Sequence, residues 1–355
     1  MATKTWTGND GDYIKDSNWS SSGVPGPGDT AVFGALGRSD VSLVTNTSHA
    51  SYVHLSVSDW SFSSITRQYN IEIGDFIDFA FLGTGIETNG ASVRLFIFGV
   101  VEFQSGSADQ ATILNFNEVE FHGSSTAGNS IIHTLPDAEM LFDGFTTGGS
   151  AEFITDVGSL VDFSASSGPG HDHRVSAGSI AGAGFYELGE DQLTVGSNGL
   201  STTVSGPIED GGQNNVTGAS LVKAGHGTLT LSHAGNTYSG GTTLEQGTLD
   251  LAAIGAAGTG AITFAGRARL KIDSTGLSGH VFANAIDGFG KHDVLDLSGL
   301  HFHAGATANY HKANHHLTVH SGHVIDTLTL NSPHGTHFDA VNDGHDGTAV
   351  FLVFA

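Results

Sequence analysis

Five short stretches, VVEFQSGS, EVEFHGSS, EMLFDGFT, LVDFSASS and GFYELGED, each set a phenylalanine beside an acidic residue and just before small or polar residues. Their phenylalanines, Phe103, Phe121, Phe142, Phe163 and Phe185, are spaced by 18, 21, 21 and 22 residues. A period in this range marks one structural unit repeated along the chain. A strand-sized unit cannot bury its own apolar face, so it is stabilised by stacking on its neighbours. One coil of a right-handed parallel β-helix has this length, with a rise of about 4.8 Å per coil. Stacking predicts that the phenylalanines line up as an internal ladder. The competing arrangement is a β-sandwich, whose turns come every 8–12 residues or so. Irregular spacing and Gly-rich corners favour the helix.

Local patterning agrees. In TLTL (Thr228 to Leu231) and TLDL (Thr248 to Leu251) apolar and polar residues alternate, which puts every Leu on one face of an extended strand. The intervening SGG supplies a tight corner. With 51 Gly, 6 Pro and 22 Phe, and no helix-period apolar segment, the chain reads as nearly all β. The expected fold is therefore an all-β, right-handed parallel β-helix (solenoid) over residues 1–275, including an N-terminal cap coil. A C-terminal β cap module is expected over 276–355. There GFGKHDVLDLSGLHFHAG and HHLTVHSGHVIDTLTL read as hairpin strands, with Ser321 and Gly322 as a two-residue turn. An end cap is physically required, because the last coil would otherwise expose an open strand edge.

Leu221 to Leu251, LVKAGHGTLTLSHAGNTYSGGTTLEQGTLDL, closely resembles the autotransporter-associated β-strand repeat, also called the passenger-associated transport repeat. The family pattern, G-x-G-T-L-x-L then N-x-Y-x-G-x-T then G-x-L, is met at Gly225, Gly227, Thr228, Leu229, Leu231, Asn236, Tyr238, Gly240, Thr242, Thr243, Gly247 and Leu249. The opening WTGNDGDYIKDSNWSSSGVPGPGDTAVF is similar to the N-terminal coil of such surface proteins. The resemblance implies a parallel β-helical stalk on an exported bacterial protein serving adhesion, biofilm or surface display. It does not imply catalysis. The tail DGTAVFLVFA resembles the uncleaved C-terminal signals of one-step (type I) bacterial secretion; a final buried strand is the alternative. The N-terminal stretch has no basic-then-apolar segment, so no cleavable signal peptide is expected. No run of 18 apolar residues occurs, so no transmembrane segment is expected.

The formal net charge is −24, from 36 acidic and 12 basic residues, which disfavours nucleic acid and anionic membranes as partners. Twenty His can offset much of that charge as pH falls through about 6.5. Self-association should therefore be easier near pH 5 than near pH 8. The absence of Cys excludes disulfides and thiolate zinc sites.

Eleven of the 20 His lie between His292 and His345. His301 and His303 share a strand face, and His320 and His323 flank the expected turn. Cross-strand imidazoles about 5 Å apart can bridge zinc, nickel or copper, with His311, His315 or His316 as a third ligand. The alternatives are a polar outer face or a pH-responsive contact. For calcium, GFGKHDVLDL is similar to the glycine-rich calcium nonapeptide, with Asp293 and Asp296 as donors, but His292 stands where an Asp is expected. NDGD (Asn9 to Asp12) and NDGHDG (Asn342 to Gly347) fall short of a complete oxygen shell. No cofactor is identified; calcium or a His-bound divalent metal are the ions with donors present.

RARLKID projects Arg267, Arg269 and Lys271 from one side of a strand, either as a site for acidic glycans, with Asp250 and Asp273 nearby, or as a solvated cationic face. GPGHDHR (Gly168 to Arg174) breaks the coil rhythm, and His171, Asp172 and His173 are either a functional insertion or a corner turn. No catalytic residue emerges. The expected role is that of an exported bacterial structural or adhesive protein, self-assembling into an extracellular fibre, matrix or surface-layer component. It would sit outside the cell or on its surface, with copies of itself or cell-surface glycans as partners. The alternative is an extracellular polysaccharide lyase or hydrolase on the same scaffold.

Overall fold

A computed structural model describes residues 2–21, 23–44 and 52–353. The chain divides into two compact units, Met1–Gly178 and Ser179–Ala355. Strands dominate both, and among the described residues helix is confined to two single 3₁₀ turns, Asp16–Asn18 and Ser274–Gly276. No described helix is long and apolar enough to cross a membrane.

In the first unit two rows of strands alternate along the chain. One row runs Thr3–Thr5, Thr30–Phe33, Val53–Phe62, Ile77–Glu87, Val100–Phe103, Glu118–Phe121, Glu139–Gly144 and Leu160–Ser166, each parallel to the next. The other runs Asp40–Leu43, Gln68–Ile73, Ser92–Ile97, Thr112–Asn115, Ile131–Thr134 and Glu152–Thr155, again all parallel. Neighbours within a row lie one coil apart in sequence, so the unit is a parallel β-solenoid.

Every second residue of a strand such as Glu118–Phe121 is buried, and these inward residues build the core. Phe103 pairs in register with Phe121, and Phe121 with Phe142. Successive ring centroids from Phe81 through Phe103, Phe121 and Phe142 to Phe163 are 4.8, 4.9, 4.8 and 4.5 Å apart, with interplanar angles of 7–17°. The expected ladder is therefore present and extends one coil further, to Phe81. Phe185 is the exception: it points outward, and Tyr186 takes the buried position beside it. The N-terminal coil is filled by Trp6, Tyr13, Trp19 and Trp60, with the indoles of Trp6 and Trp19 donating to the Arg38 and Tyr13 carbonyls at 2.9 Å each.

The second unit continues the same plan, with parallel pairing among the strands from Ser179–Gly182 to Val294–Leu297. TLTL and TLDL prove to be stacked on one another, with Leu229 opposite Leu249 and Leu231 opposite Leu251. The pattern then changes. Val281–Asp287 is covered in parallel by Val324–Asn331, whereas Val294–Leu297 is covered antiparallel by Thr348–Leu352. Antiparallel pairing also joins Thr307–His311, His316–Ser321 and Val324–Asn331 in sequence, and Phe338–Asn342 to Thr348–Leu352. This C-terminal β cap occupies both edges of the last coil.

One detail differs from the sequence reading. Ser321 pairs with Val324, so the two central turn residues are Gly322 and His323, with Gly322 at φ +59°. The apolar tail, by contrast, takes the second of its two expected forms, the buried strand Thr348–Leu352, while Phe354 and Ala355 lie outside the described residues.

Candidate functional site

The repeat-like stretch shows why its residue types are needed. Gly225 has φ +64°, and an added Cβ would collide with the Gly196 carbonyl one coil away. Asn236 is buried and ties three coils together: its Oδ1 accepts from the Ile208 amide at 3.0 Å, and its Nδ2 donates to the Ala256 carbonyl at 2.7 Å. Tyr238 is fully buried, its hydroxyl 2.7 Å from Thr242 Oγ1. These residues build the coil rather than a ligand site.

The cationic row projects outward as expected, and two of its three charges are engaged by carboxylates. Arg269 Nη1 donates to Asp296 Oδ2 at 2.7 Å, and Lys271 Nζ lies 3.0 Å from both Asp250 Oδ2 and Asp273 Oδ1. Asp250 and Asp296 flank Lys271 in register on the adjacent coils. Burial pushes the Asp296 carboxyl up, with Arg269 opposing it. Arg267 makes no ion pair among the described residues and borders a groove of about 340 Å³ with His226, Gln246 and His292.

The histidine group separates into parts. His301 and His303 lie between the strands Val294–Leu297 and Thr307–His311 rather than on a strand face; their rings are 4.8 Å apart, and His301 Nδ1 lies 2.7 Å from Asp346 Oδ2. The ring of His303 rests against Gly322. His320 faces Ile325 and Thr307 across the sheet, not His323, which sits in the turn. Several carboxylates weighed for calcium accept from protein donors: Asp293 from the Gly290 and Ala268 amides, Asp343 from the His345 and Gly347 amides, and Asp10 contacts Lys15 and Asn18, whereas the buried Asp296 Oδ1 has no hydrogen-bond partner among the described residues.

A different set of side chains meets on the outer face of the first unit. Among the described residues, Glu102, Glu120 and His122 bring three donor atoms within 4.8 Å of one another. In-register stacking causes this: Glu120 lies opposite Glu102 and Glu118 opposite Glu139, all pointing away from the Phe ladder. His122 Nε2 is 2.6 Å from Glu120 Oε2, and His122 Nδ1 is 3.6 Å from Asp143 Oδ2.

Electrostatics follow from that crowding. The Glu118 carboxyl is pushed up to about 7, first by burial and then by Glu120 and the surrounding carboxylates. His122 holds Glu120 below the usual carboxylate range, and Glu120 in turn raises the imidazole. Burial raises Glu102. The row can therefore take up protons near neutral pH, and its Glu–Glu–His corner has the donor types for a divalent cation. The acid-before-Phe spacing of Glu102 and Glu120 was the available signal. That the two stack depended on register.

No curated protein and no solved structure matches the chain. Residues 221–251 match the family model of the passenger-associated-transport-repeat, and this stretch of the chain is one such repeat.

Proposed function

We propose that the protein is an exported bacterial structural component of the cell surface or extracellular space, adhesive or matrix-forming, which associates with its own copies. The repeat at 221–251 and the parallel solenoid support a passenger-type role. The carrying observation is the outward row of stacked carboxylates, with Glu118 raised to about 7 and His122 above its ordinary value. Like charges in this row repel a second copy at alkaline pH, and protonation of Glu118 and His122 lessens the repulsion. A lyase role would draw on the cationic row, and the ion pairs of Arg269 and Lys271, which leave only Arg267 of that row unpaired among the described residues, weigh against it.

Light scattering after size exclusion, with negative-stain microscopy at pH 5 and pH 8 and with or without calcium or zinc, tests the proposal. Larger species at pH 5 than at pH 8 are expected. Uniform monomers under every condition would overturn it.

A further inference from the structure

The coil offset is 22 residues between Gly144 and Ser166, but 29 between Thr147 and Ser176, whose hydroxyls are 3.1 Å apart. Seven residues are thus added at one corner, and they form the excursion Gly168–Arg174. It closes at its base through the His173 amide donating to the Ser167 carbonyl at 3.0 Å. Two non-glycine residues in it, His171 and His173, adopt positive φ of 56° and 57°.

What it places is His171 against Phe145, with ring centroids 3.8 Å apart. Phe145 is 39% exposed at a corner position where the preceding coil has Ser124. Beneath them lies a slot of about 310 Å³, lined by Ser124, Ser125, Thr126, Phe145, Pro169 and His171. Thr126 Oγ1 accepts from the Gly128 amide at 3.1 Å, but other polar groups of the slot are unpartnered. Neither ring nitrogen of His171 nor the Ser124 hydroxyl has a hydrogen-bond partner among the described residues. The Ser125 hydroxyl, on a residue 1% exposed, is likewise unpartnered. No Lys or Arg lines the slot, and the neighbouring Arg174 lies 3.7 Å from the Asp172 carboxylate.

We propose that this slot binds a neutral glycan. An exposed aromatic ring, a proline and open hydroxyl and imidazole groups suit a sugar, whose ring presents C–H groups on one face and hydroxyls around its rim. The sugar ring packs on Phe145 and Pro169, and its hydroxyls bond to Ser124 and His171. The slot holds about one sugar unit, so recognition is of a terminal or single internal residue. The inference rests on the adhesive part of the proposed role and supplies its contact. Its outcome is separable from self-association, because assembly is read by light scattering without any glycan.

Isothermal titration and saturation-transfer NMR of the full chain at pH 7.5 provide the test. The probes are neutral tetrasaccharides of β-linked glucose, α-linked glucose, mannose and N-acetylglucosamine, with oligogalacturonate as the acidic comparison. Binding of at least one neutral probe is expected, weakened about tenfold by Phe145→Ala, in line with about 1.4 kcal/mol for one aromatic contact. His171→Ala, which leaves the coil core untouched, should weaken it as well. Phe116→Ala, at another exposed ring, should leave it unchanged. Binding of no neutral probe, binding of oligogalacturonate alone, or neutral binding that survives both slot variants would overturn the proposal.

Discussion

Lys223 carries a charge into the solenoid with 1% of its surface exposed. Its ammonium donates to the carbonyls of Ala224, Gly225 and Gln246 at 2.6, 2.9 and 3.1 Å, while burial pulls its pKa down to about 8. The corner that needs Gly225 at positive φ is thus bridged by a cation to the next coil. Lys223→Met would keep the length of the side chain and leave these carbonyls without their donor. We expect a loss of about 2–3 kcal/mol, read as a lower urea midpoint at unchanged slope. An unchanged midpoint would mean that water serves the carbonyls equally well. At this scale the sequence was most legible where side chains alternate with period two, as for Phe103 and Leu229. It misled at His320 and His323, because a one-residue change in turn position moved His323 from the strand into the loop.

At the scale of elements, parallel in-register stacking repeats each outward residue type along the face. In the first unit this crowds Glu102 against Glu120 and Glu118 against Glu139. Glu118 has its folded pKa raised to about 7, above an ordinary value of 4.5, so the folded state holds the proton more tightly than the unfolded chain between those values. Stability from this group is full below about 4.5 and falls as pH rises through about 7. His122 acts in the same sense, its contribution being lost as pH rises through its raised pKa, whereas lowered Glu120 contributes above about 4.5 and loses its effect in stronger acid. Glu118→Gln should therefore raise the melting temperature at pH 8, by an amount corresponding to about 1 kcal/mol for a half-exposed group, and change it little at pH 5. Equal effects at both pH values would show that its charge is not felt. The cationic strand makes the same point. Its period of two was readable, but the partners Asp250 and Asp296 lie 21 and 25 residues from Lys271 in sequence, and only coil length brings them alongside.

For the whole molecule, a parallel solenoid needs its last edge covered. Val281–Asp287 and Val294–Leu297 find partners in Val324–Asn331 and Thr348–Leu352, and Leu295 and Leu297 are fully buried. Removing residues 298–355 would bare both edges, and we expect aggregation measurable by light scattering at pH 8, where the net charge of −24 otherwise opposes association. A soluble monomer would show that the edges are not adhesive. By itself the sequence determined the all-β class, the coil length, the inward Phe ladder and the repeat at 221–251, because these follow from local periodicity and the steric needs of glycine corners. Tertiary structure alone decided which outward side chains meet. The Glu102–Glu120 contact of the Glu–Glu–His corner, the Arg269–Asp296 and Lys271–Asp250 ion pairs and the slot beneath Phe145 join residues 18 to 47 positions apart, a distance set by coil length and register that no local pattern encodes.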